Sequence, residues 1–191
     1  MSHLLRQATA DDAGALAELA AVTFPLACPP SSSAVDIAAH LAATLSEACF
    51  DDYLADPDIT ITVIDSEGAL DGYSLLVARP ATDPDVAAAL TLHPSVELSK
   101  CYVHPVQHGL GAAAELMRAT LAAAAATGAA GIWLGVNNQN ERALRFYTKS
   151  GFRQVGTKSF RLGTTVEHDF VLERALTPEP PVWDIQQRQQ E

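Results

Sequence analysis

Two glycines between a strand and a helix constrain the fold of this chain more than any other feature. Gly109 and Gly111 follow a stretch that predicts a strand over Val96–Val103, and an alanine-rich stretch predicts a helix over Gly109–Thr127. A second strand is predicted at Gly131–Val136. A strand, a helix and a strand in this order form a β-α-β unit with parallel strands. Because glycine has no Cβ, backbone N–H groups and the positive helix end can face an anion, so the pattern predicts a phosphate-binding loop.

Helices and strands alternate around this unit. Thr9 and the pair Asp11–Asp12 are expected to cap a helix with apolar residues at Leu16, Leu19 and Val22. Further helices are predicted at Ala34–Leu45, Glu47–Leu54 and Asn140–Ser150, a strand at Leu4–Gln7, and hairpins at Ile59–Ile64 with Leu70–Ala78 and Phe152–Phe160 with Thr165–Glu173. The segment Pro80–Pro94 has prolines at both ends, and we expect it to be an excursion from the core.

Length and charge exclude several classes of protein. A chain of 191 residues with 48% apolar content suits one domain with a sizeable core. Its formal net charge of −11 argues against a nucleic-acid partner and against an anionic membrane surface, and it favours cationic small molecules. Cys28, Cys49 and Cys101 lack the spacing of a disulfide framework or a zinc site, so no metal is expected. The pattern contains neither a signal peptide nor a membrane span, which predicts a cytoplasmic protein.

Two motifs beside the glycine loop resemble those of the GNAT superfamily of N-acetyltransferases. They are Val96–Pro105 with the loop His108–Ala113, and Asn140-x-x-Ala143-x-x-Phe146-Tyr147-x-Lys149-x-Gly151-Phe152. The resemblance is strongest over Val96–Gly156. It implies a three-layer α/β fold with a mixed, mostly antiparallel central sheet, one β-α-β unit, a splay at the cofactor strand and flanking helices. It also implies a single N-acetyltransferase domain over residues 1–175, followed by a Pro/Gln-rich tail over residues 176–191.

The resemblance implies acetyl-CoA as the cofactor and suggests which residues bind it. The pantetheine arm would hydrogen-bond like an added strand to the backbone near Cys101, Tyr102 and Val103. The diphosphate would meet the N–H groups of the loop His108, Gly109, Leu110, Gly111, Ala112 and Ala113. Asn140 would contact the cofactor arm, and Ala143 would allow its close approach. Loops of the family begin with Gln or Arg where this chain has His108, but backbone N–H groups bind the phosphates.

Acyl transfer to an amine requires a base, an acid and a polarised carbonyl, and the resemblance provides a candidate for each. Glu97 aligns with the catalytic glutamate of family members and would deprotonate the amine through water, provided that burial raises its pKa. Tyr147 matches the family tyrosine that protonates the coenzyme thiolate. A backbone N–H of the strand, at Val103 or a neighbour, would polarise the carbonyl.

Each assignment has an alternative. By period two, Glu97 would share a strand face with Ser99, Cys101 and Val103, and its carboxylate could simply reach water. Tyr147 could be only a packing residue beside Phe146 and Phe152. Cys101 could form an acyl-cysteine, although a cysteine in an apolar strand is more often a core residue. His104 and His108 could be auxiliary bases or solvated side chains.

The acceptor is expected to be a primary amine of a small molecule or of a protein or peptide. The fold would line the acceptor groove with Phe24–Ser33 and Arg161–Val166, so Phe24, Cys28 and Arg161 are the candidate substrate-binding residues. These stretches contain no cluster of carboxylates that would mark a polyamine site. We expect no nucleic-acid or membrane partner; a homodimer is compatible with this interpretation.

Two other functions remain open. One is a non-catalytic acyl-CoA-binding or sensing module on the same fold. The other is a dinucleotide-binding protein, because Gly109-x-Gly111-x-x-Ala114 fits a loose dinucleotide fingerprint. The stretch Gly131–Asn137 lacks the acidic residue that would hold a ribose, which argues against the second alternative.

Overall fold

The computed structural model describes residues 3–29, 31–163 and 165–176, and these residues form one sheet with helices on both faces. The helices are α1 (Ala13–Thr23), α2 (Ala34–Thr44), α3 (Glu47–Ala55), α4 (Pro84–Ala89), α5 (Ala112–Ala126) and α6 (Glu141–Lys149). The strands are β1 (Leu4–Gln7), β2 (Ile59–Ser66), β3 (Ala69–Val77), β4 (Ser95–Val103), β5 (Gly131–Asn137), β6 (Arg153–Leu162) and β7 (Thr165–Ala175). The tail predicted at residues 176–191 lies, from Thr177 onward, outside the described residues.

The strand order is β1-β2-β3-β4-β5-β7-β6. Neighbouring strands are antiparallel except for β4 and β5, which are parallel and are connected by α5. This arrangement confirms the predicted mixed, mostly antiparallel sheet with one β-α-β unit.

The parallel pair separates soon after it begins. Ser95–Glu97 of β4 pairs with Gly131–Trp133 of β5, yet β4 continues to Val103 and β5 to Asn137. The two strands therefore diverge beyond Glu97 and leave a wedge-shaped gap in the middle of the sheet. This gap is the predicted splay.

Two hydrophobic clusters cover the two faces of the sheet. On one face, α1 and α3 pack on β2 and β3 around the buried residues Leu16, Phe50 and Tyr73. On the other face, α5 packs on β2, β3 and β4, and the cluster there includes Met117 and Ile132. The resulting three layers bury apolar faces of both helix layers and keep the gap at the centre of the molecule.

The segment Pro80–Pro94 is not an excursion from the core, and that prediction was wrong. Its helix α4 places Val86, which is fully buried, in a cluster with Trp133 and Val171. The carboxylate of Glu173, also fully buried, accepts hydrogen bonds from the backbone N–H groups of Thr91 at 2.9 Å and Leu92 at 2.8 Å. Prolines predict where a chain turns, but they carry no information on whether the turn packs against the sheet.

A β-bulge in β4 corrects a second prediction. Leu76 pairs with Leu98 and Leu75 pairs with Lys100, so Ser99 is an extra residue in β4. One extra residue inverts the alternation of side chains beyond it. Glu97 therefore shares its face with Lys100 and Tyr102, and not with Cys101 and Val103 as period two predicted.

An ion pair fixes the start of α1. Arg6 donates to Asp12 through Nη1 at 2.7 Å and Nη2 at 2.8 Å, and its Nε donates to Asp65 at 2.8 Å. The hydrogen bond from Arg6 is the main reason why the pKa of Asp12 falls from 3.8 to about 2. The backbone N–H of Thr9 donates to the same carboxylate at 2.7 Å and so joins the cap to the pair.

Asp12→Asn is expected to lower the free energy of unfolding at neutral pH by roughly 2 kcal/mol. The pKa of Asp12 is depressed in the folded state, so its contribution is present above 3.8 and is lost as the pH falls toward about 2. The free energy of unfolding, measured with denaturant over this pH range, should fall less in the variant than in the wild type as the pH decreases. Asp51→Asn, at an exposed position on α3, is the matched control. Equal acid losses in wild type and Asp12→Asn would contradict the stabilising role of the pair.

Candidate active site

A cleft of about 660 Å³ occupies the gap between β4 and β5. It brings together most of the residues predicted for the site, namely Phe24, Cys28, Glu97, Cys101, Tyr102, Val103, His108, Gly109, Gly111, Ala113, Asn140, Ala143 and Tyr147. Three predicted site residues do not line it. Leu110 is 71% exposed, Ala112 packs with Ile64 and Leu116, and Arg161 is exposed on β6. The roles predicted for Leu110 and Ala112 use their backbone N–H groups, and these roles, like the substrate-binding role of Arg161, stay predictions.

The glycine loop forms one end of the cleft. Gly109 has φ +83° and Gly111, the N-cap of α5, has φ +90°. Residues other than glycine rarely adopt this left-handed backbone conformation. Because a right-handed helix cannot include residues with positive φ, α5 begins at Ala112 and not at Gly109 as predicted. The first N–H groups of a helix have no partner within the helix, and together with the helix dipole they attract an anion.

His108 and Gln107 connect the loop to its surroundings. The Nε2 atom of His108 lies 3.2 Å from the carbonyl oxygen of Val103, at the end of β4. Gln107 donates from Nε2 to the carboxylate of Asp71 at 2.6 Å. These contacts hold the loop against β3 and β4, and the role of Gln107 was not predicted.

Asn140 connects α6 to the turn Phe24–Ala27. Its Oδ1 accepts a hydrogen bond from the N–H of Ala143 at 3.0 Å, and its Nδ2 donates to the carbonyl oxygen of Ala27 at 3.4 Å. Asn140 thus caps α6 and holds a wall of the cleft in place. Contact with a cofactor arm would come in addition to these two bonds.

Tyr147 projects from α6 into the cleft beside two other aromatic rings. Its ring centroid lies 5.5 Å from that of Phe146 and 5.8 Å from that of Phe152. Burial raises the pKa of the Tyr147 hydroxyl well above its ordinary value of 10; the hydroxyl is therefore protonated at neutral pH, and the same shift makes it a weaker acid than a solvated tyrosine. Burial also raises the pKa of the neighbouring Cys101 thiol to about 12, which disfavours a thiolate nucleophile.

Glu97 lies where β4 and β5 begin to separate. Burial raises the pKa of its carboxyl above the ordinary 4.5, whereas the positive charges of Lys158 and Lys100 act in the opposite direction. Burial lowers the pKa of Lys100, whose Nζ lies 4.8 Å from the centroid of the Tyr53 ring. A carboxylate with a raised pKa is a better base near neutral pH than a solvated one.

Several charged residues of the cleft were missed. They are Lys100 on β4, Arg142 on α6, Lys158 on β6, and Glu167 and Asp169 on β7, where Glu167 is 7% and Asp169 8% exposed. Both carboxylates lie just beyond Arg161–Val166, the stretch predicted to line the acceptor groove. Their two-residue spacing on a predicted strand was the signal that could have placed them on one face.

Within the ranges that the structure describes, no helix is both long and apolar enough to cross a membrane.

Known proteins resemble this chain in sequence and in fold. The model of the acetyltransferase (GNAT) family matches residues 26–152. Uncharacterised N-acetyltransferases of Mycobacterium tuberculosis and Mycobacterium bovis are each 47% identical over 165 residues, which cover 86% of this chain and 98% of each relative.

Solved structures of low identity share the fold. The PaiA N-acetyltransferase of Thermoplasma acidophilum, solved in complex with coenzyme A, superposes with a TM-score of 0.72 at 19% identity, over 92% of this chain and 99% of that chain. The ribosomal-protein-S18-alanine N-acetyltransferase of Escherichia coli gives 0.66 at 14% identity, over 95% and 98%.

Proposed function

The chain belongs to the GNAT family of acetyltransferases, and on this basis we propose that it transfers an acetyl group from acetyl-CoA to a primary amine in the cleft between β4 and β5. The observation that carries the proposal is the geometry of the gap. A glycine loop that can bind an anion at one end, a half-buried carboxylate at the splay and a protonated tyrosine line the same cleft.

The chain offers a fitting site for the coenzyme. Among the described residues, β4 and β5 do not pair beyond Glu97, so the β4 backbone near Cys101 has no strand partner on the edge that faces the gap, whereas the carbonyl oxygen of Val103 lies 3.2 Å from His108 Nε2. Gly109 and Gly111 leave the N–H groups at the start of α5 accessible to a diphosphate, because a Cβ is absent at both positions. The complex of the Thermoplasma acidophilum relative with coenzyme A supports this assignment.

Glu97 is proposed to deprotonate the acceptor. An alkylammonium with a pKa near ~10.4 is almost fully protonated at neutral pH and cannot attack a carbonyl. Glu97, acting through a water molecule, would accept the proton from the ammonium, and the resulting amine would form the new N–C bond. The protonated Cys101 thiol supports direct attack by the amine and not a covalent acyl-cysteine.

Tyr147 is proposed to complete the transfer. Acetyl-CoA supplies the thioester, whose C–S bond breaks as the N–C bond forms. A backbone N–H on the gap-facing edge of β4 would polarise the thioester carbonyl. The Tyr147 hydroxyl, which is protonated and lines the cleft, would donate a proton to the departing sulfur.

Two measurements test the proposal against its alternatives. We expect acetyl-CoA to raise the thermal unfolding midpoint and NADH to leave it unchanged, because a ligand stabilises only the folded state that it binds. We also expect thiol release from acetyl-CoA when a panel of primary amines is added. Stabilisation by NADH alone would indicate a dinucleotide-binding protein. Binding of acetyl-CoA without turnover of any amine or peptide would favour the sensing module.

A further inference from the structure

We propose that Glu167 and Asp169 select an acceptor that carries a second positive charge, so that the substrate is a small diammonium molecule acetylated at one of its amines. This inference rests on the proposed acetyl transfer in the same cleft. It adds the substrate class and assigns a binding role to two residues outside the proposed catalytic pair.

The strand register places these carboxylates on the same sheet face as Glu97. Trp133 of β5 pairs with Glu97 on one side and with Glu173 of β7 on the other. Asp169 and Glu167 precede Glu173 by four and six residues on β7, and residues at even spacing on a strand share a face. The proposed base and the two carboxylates therefore face the same space, and all three line the cleft.

Asp169 is buried without a direct partner. It is 8% exposed, and among residues 3–29, 31–163 and 165–176 it accepts no hydrogen bond and forms no ion pair within 4.0 Å. A buried carboxylate without a partner is costly in free energy, so a bound cation at this position would be stabilising. Asp169 thus points to a positively charged ligand group.

The other charged residues that the structure describes in the cleft do not pair directly with the Asp169 carboxylate. Three carboxylates line the cleft together with Lys100 and Lys158 on the strands and the exposed Arg142 on α6. The positive charges of both lysines act to lower the pKa of Glu97, and that of Lys158 also acts to lower the pKa of Asp169. Glu167 has only an amide partner among the described residues, the Nδ2 of Asn137 at 3.3 Å. Of the three carboxylates, Asp169 is thus the one that has no hydrogen-bond partner among the described residues, since Glu97 has Ser99 and Glu167 has Asn137.

The geometry favours an organic cation over a metal ion. Among the described residues, no group of three or more His, Cys, Asp or Glu side chains is arranged to hold a metal ion. Gly135 has no side chain, and the Lys158 side chain lies against it: a Cβ built there would lie 2.5 Å from Lys158 Cε, 3.0 Å from Lys158 Nζ and 3.4 Å from Asp169 Oδ2. The alkyl chain of an acceptor would therefore reach Asp169 through the open part of the cleft, which holds about 660 Å³.

The two amines of such an acceptor would have different roles in the reaction. The amine near Glu97 loses its proton and is acetylated, whereas the second stays protonated and pairs with Asp169 and Glu167. Because this second pair is present both before and during the reaction, it contributes equally to ground-state and transition-state binding. Its removal should raise KM for the acceptor and leave kcat nearly unchanged.

The test compares linear diaminoalkanes with alkylamines of the same chain length at saturating acetyl-CoA, using thiol release. For the wild type we expect a lower KM with the diamines. Asp169→Asn should raise KM for the diamines roughly ten- to hundredfold, as expected for the loss of a hydrogen bond between charged groups. The KM for the monoamines should not change. Glu167→Gln should shift KM in the same direction, and Asp169→Glu should restore part of the selectivity. Asp85→Asn, at an exposed position on α4, is the control.

The outcomes separate this inference from the proposed function. Equal KM values for diamines and monoamines in the wild type would overturn the inference and leave acetyl transfer standing. A fall in kcat with unchanged KM in Asp169→Asn would also overturn it, since that result would assign Asp169 to proton transfer. The absence of turnover with every amine would overturn both. A thermal shift of the wild type by the diamine, absent in Asp169→Asn, would support the binding role without relying on turnover.

Discussion

Glu97→Gln is expected to lower kcat/KM by about 10³-fold, within the range by which general base catalysis accelerates reactions. Glutamine keeps the size of the side chain but cannot accept a proton from the ammonium. The acetyl-CoA affinity should not change, because Glu97 lies on the face that is proposed to hold the acceptor. Steady-state kinetics with thiol release, together with calorimetric titration of acetyl-CoA, would measure both quantities.

The pH profile gives an independent check on Glu97. Burial raises its pKa above 4.5, and a base is active only in its deprotonated form. The activity of the wild type should therefore fall as the pH decreases through this raised pKa, and that acid limb should be missing from the residual activity of Glu97→Gln. Glu18→Gln, at an exposed position on α1, is the matched control. Wild-type kinetics in Glu97→Gln would remove Glu97 from the mechanism.

Tyr147→Phe is expected to lower kcat by about 10²-fold. The phenylalanine ring preserves the packing with Phe146 and Phe152, so the structure and the acetyl-CoA affinity should be retained. Only the proton for the departing sulfur is lost. Rates at saturating substrates, compared with the dissociation constant of acetyl-CoA, separate these effects.

Tyr53→Phe provides the control for Tyr147. Tyr53 also lines the cleft, but its hydroxyl donates to the carbonyl oxygen of Thr44 at 3.0 Å and has no proposed role in the reaction. A comparable loss of kcat in both variants would indicate a general effect of removing a hydroxyl from the cleft. Undiminished kcat in Tyr147→Phe would mean that another group, or water, protonates the sulfur.

The parts of the fold that depend on local pattern could be predicted from the sequence. The strand Leu4–Gln7 has the predicted bounds, and the β-α-β unit around α5 is present, because side-chain periodicity and glycine positions are local signals. The start of α5 was placed too early, at Gly109. The positive φ angles of Gly109 and Gly111 delay the helix, and such angles follow from the path of the loop and not from composition.

The features that were missed depend on contacts between distant segments. The bulge at Ser99 arises from the pairing of β4 with β3, and it reverses the face of every residue beyond it. The burial of Val86 depends on Trp133 and Val171, which lie far along the chain. Asp169 and Glu97 meet at the cleft only because β5 and β7 are neighbours in the sheet. Propensity and motif spacing contain no information on these pairings.

Mass spectrometry of a reaction with acetyl-CoA and a primary amine tests the central claim most directly. The account predicts that the free amine gains one acetyl group on nitrogen for each thiol released. It also predicts that Glu97→Gln and Tyr147→Phe both slow the formation of this acetylated amine. If thiol were released without an acetylated amine, or if the acetyl group remained on the protein, direct transfer to an amine in this cleft would be contradicted.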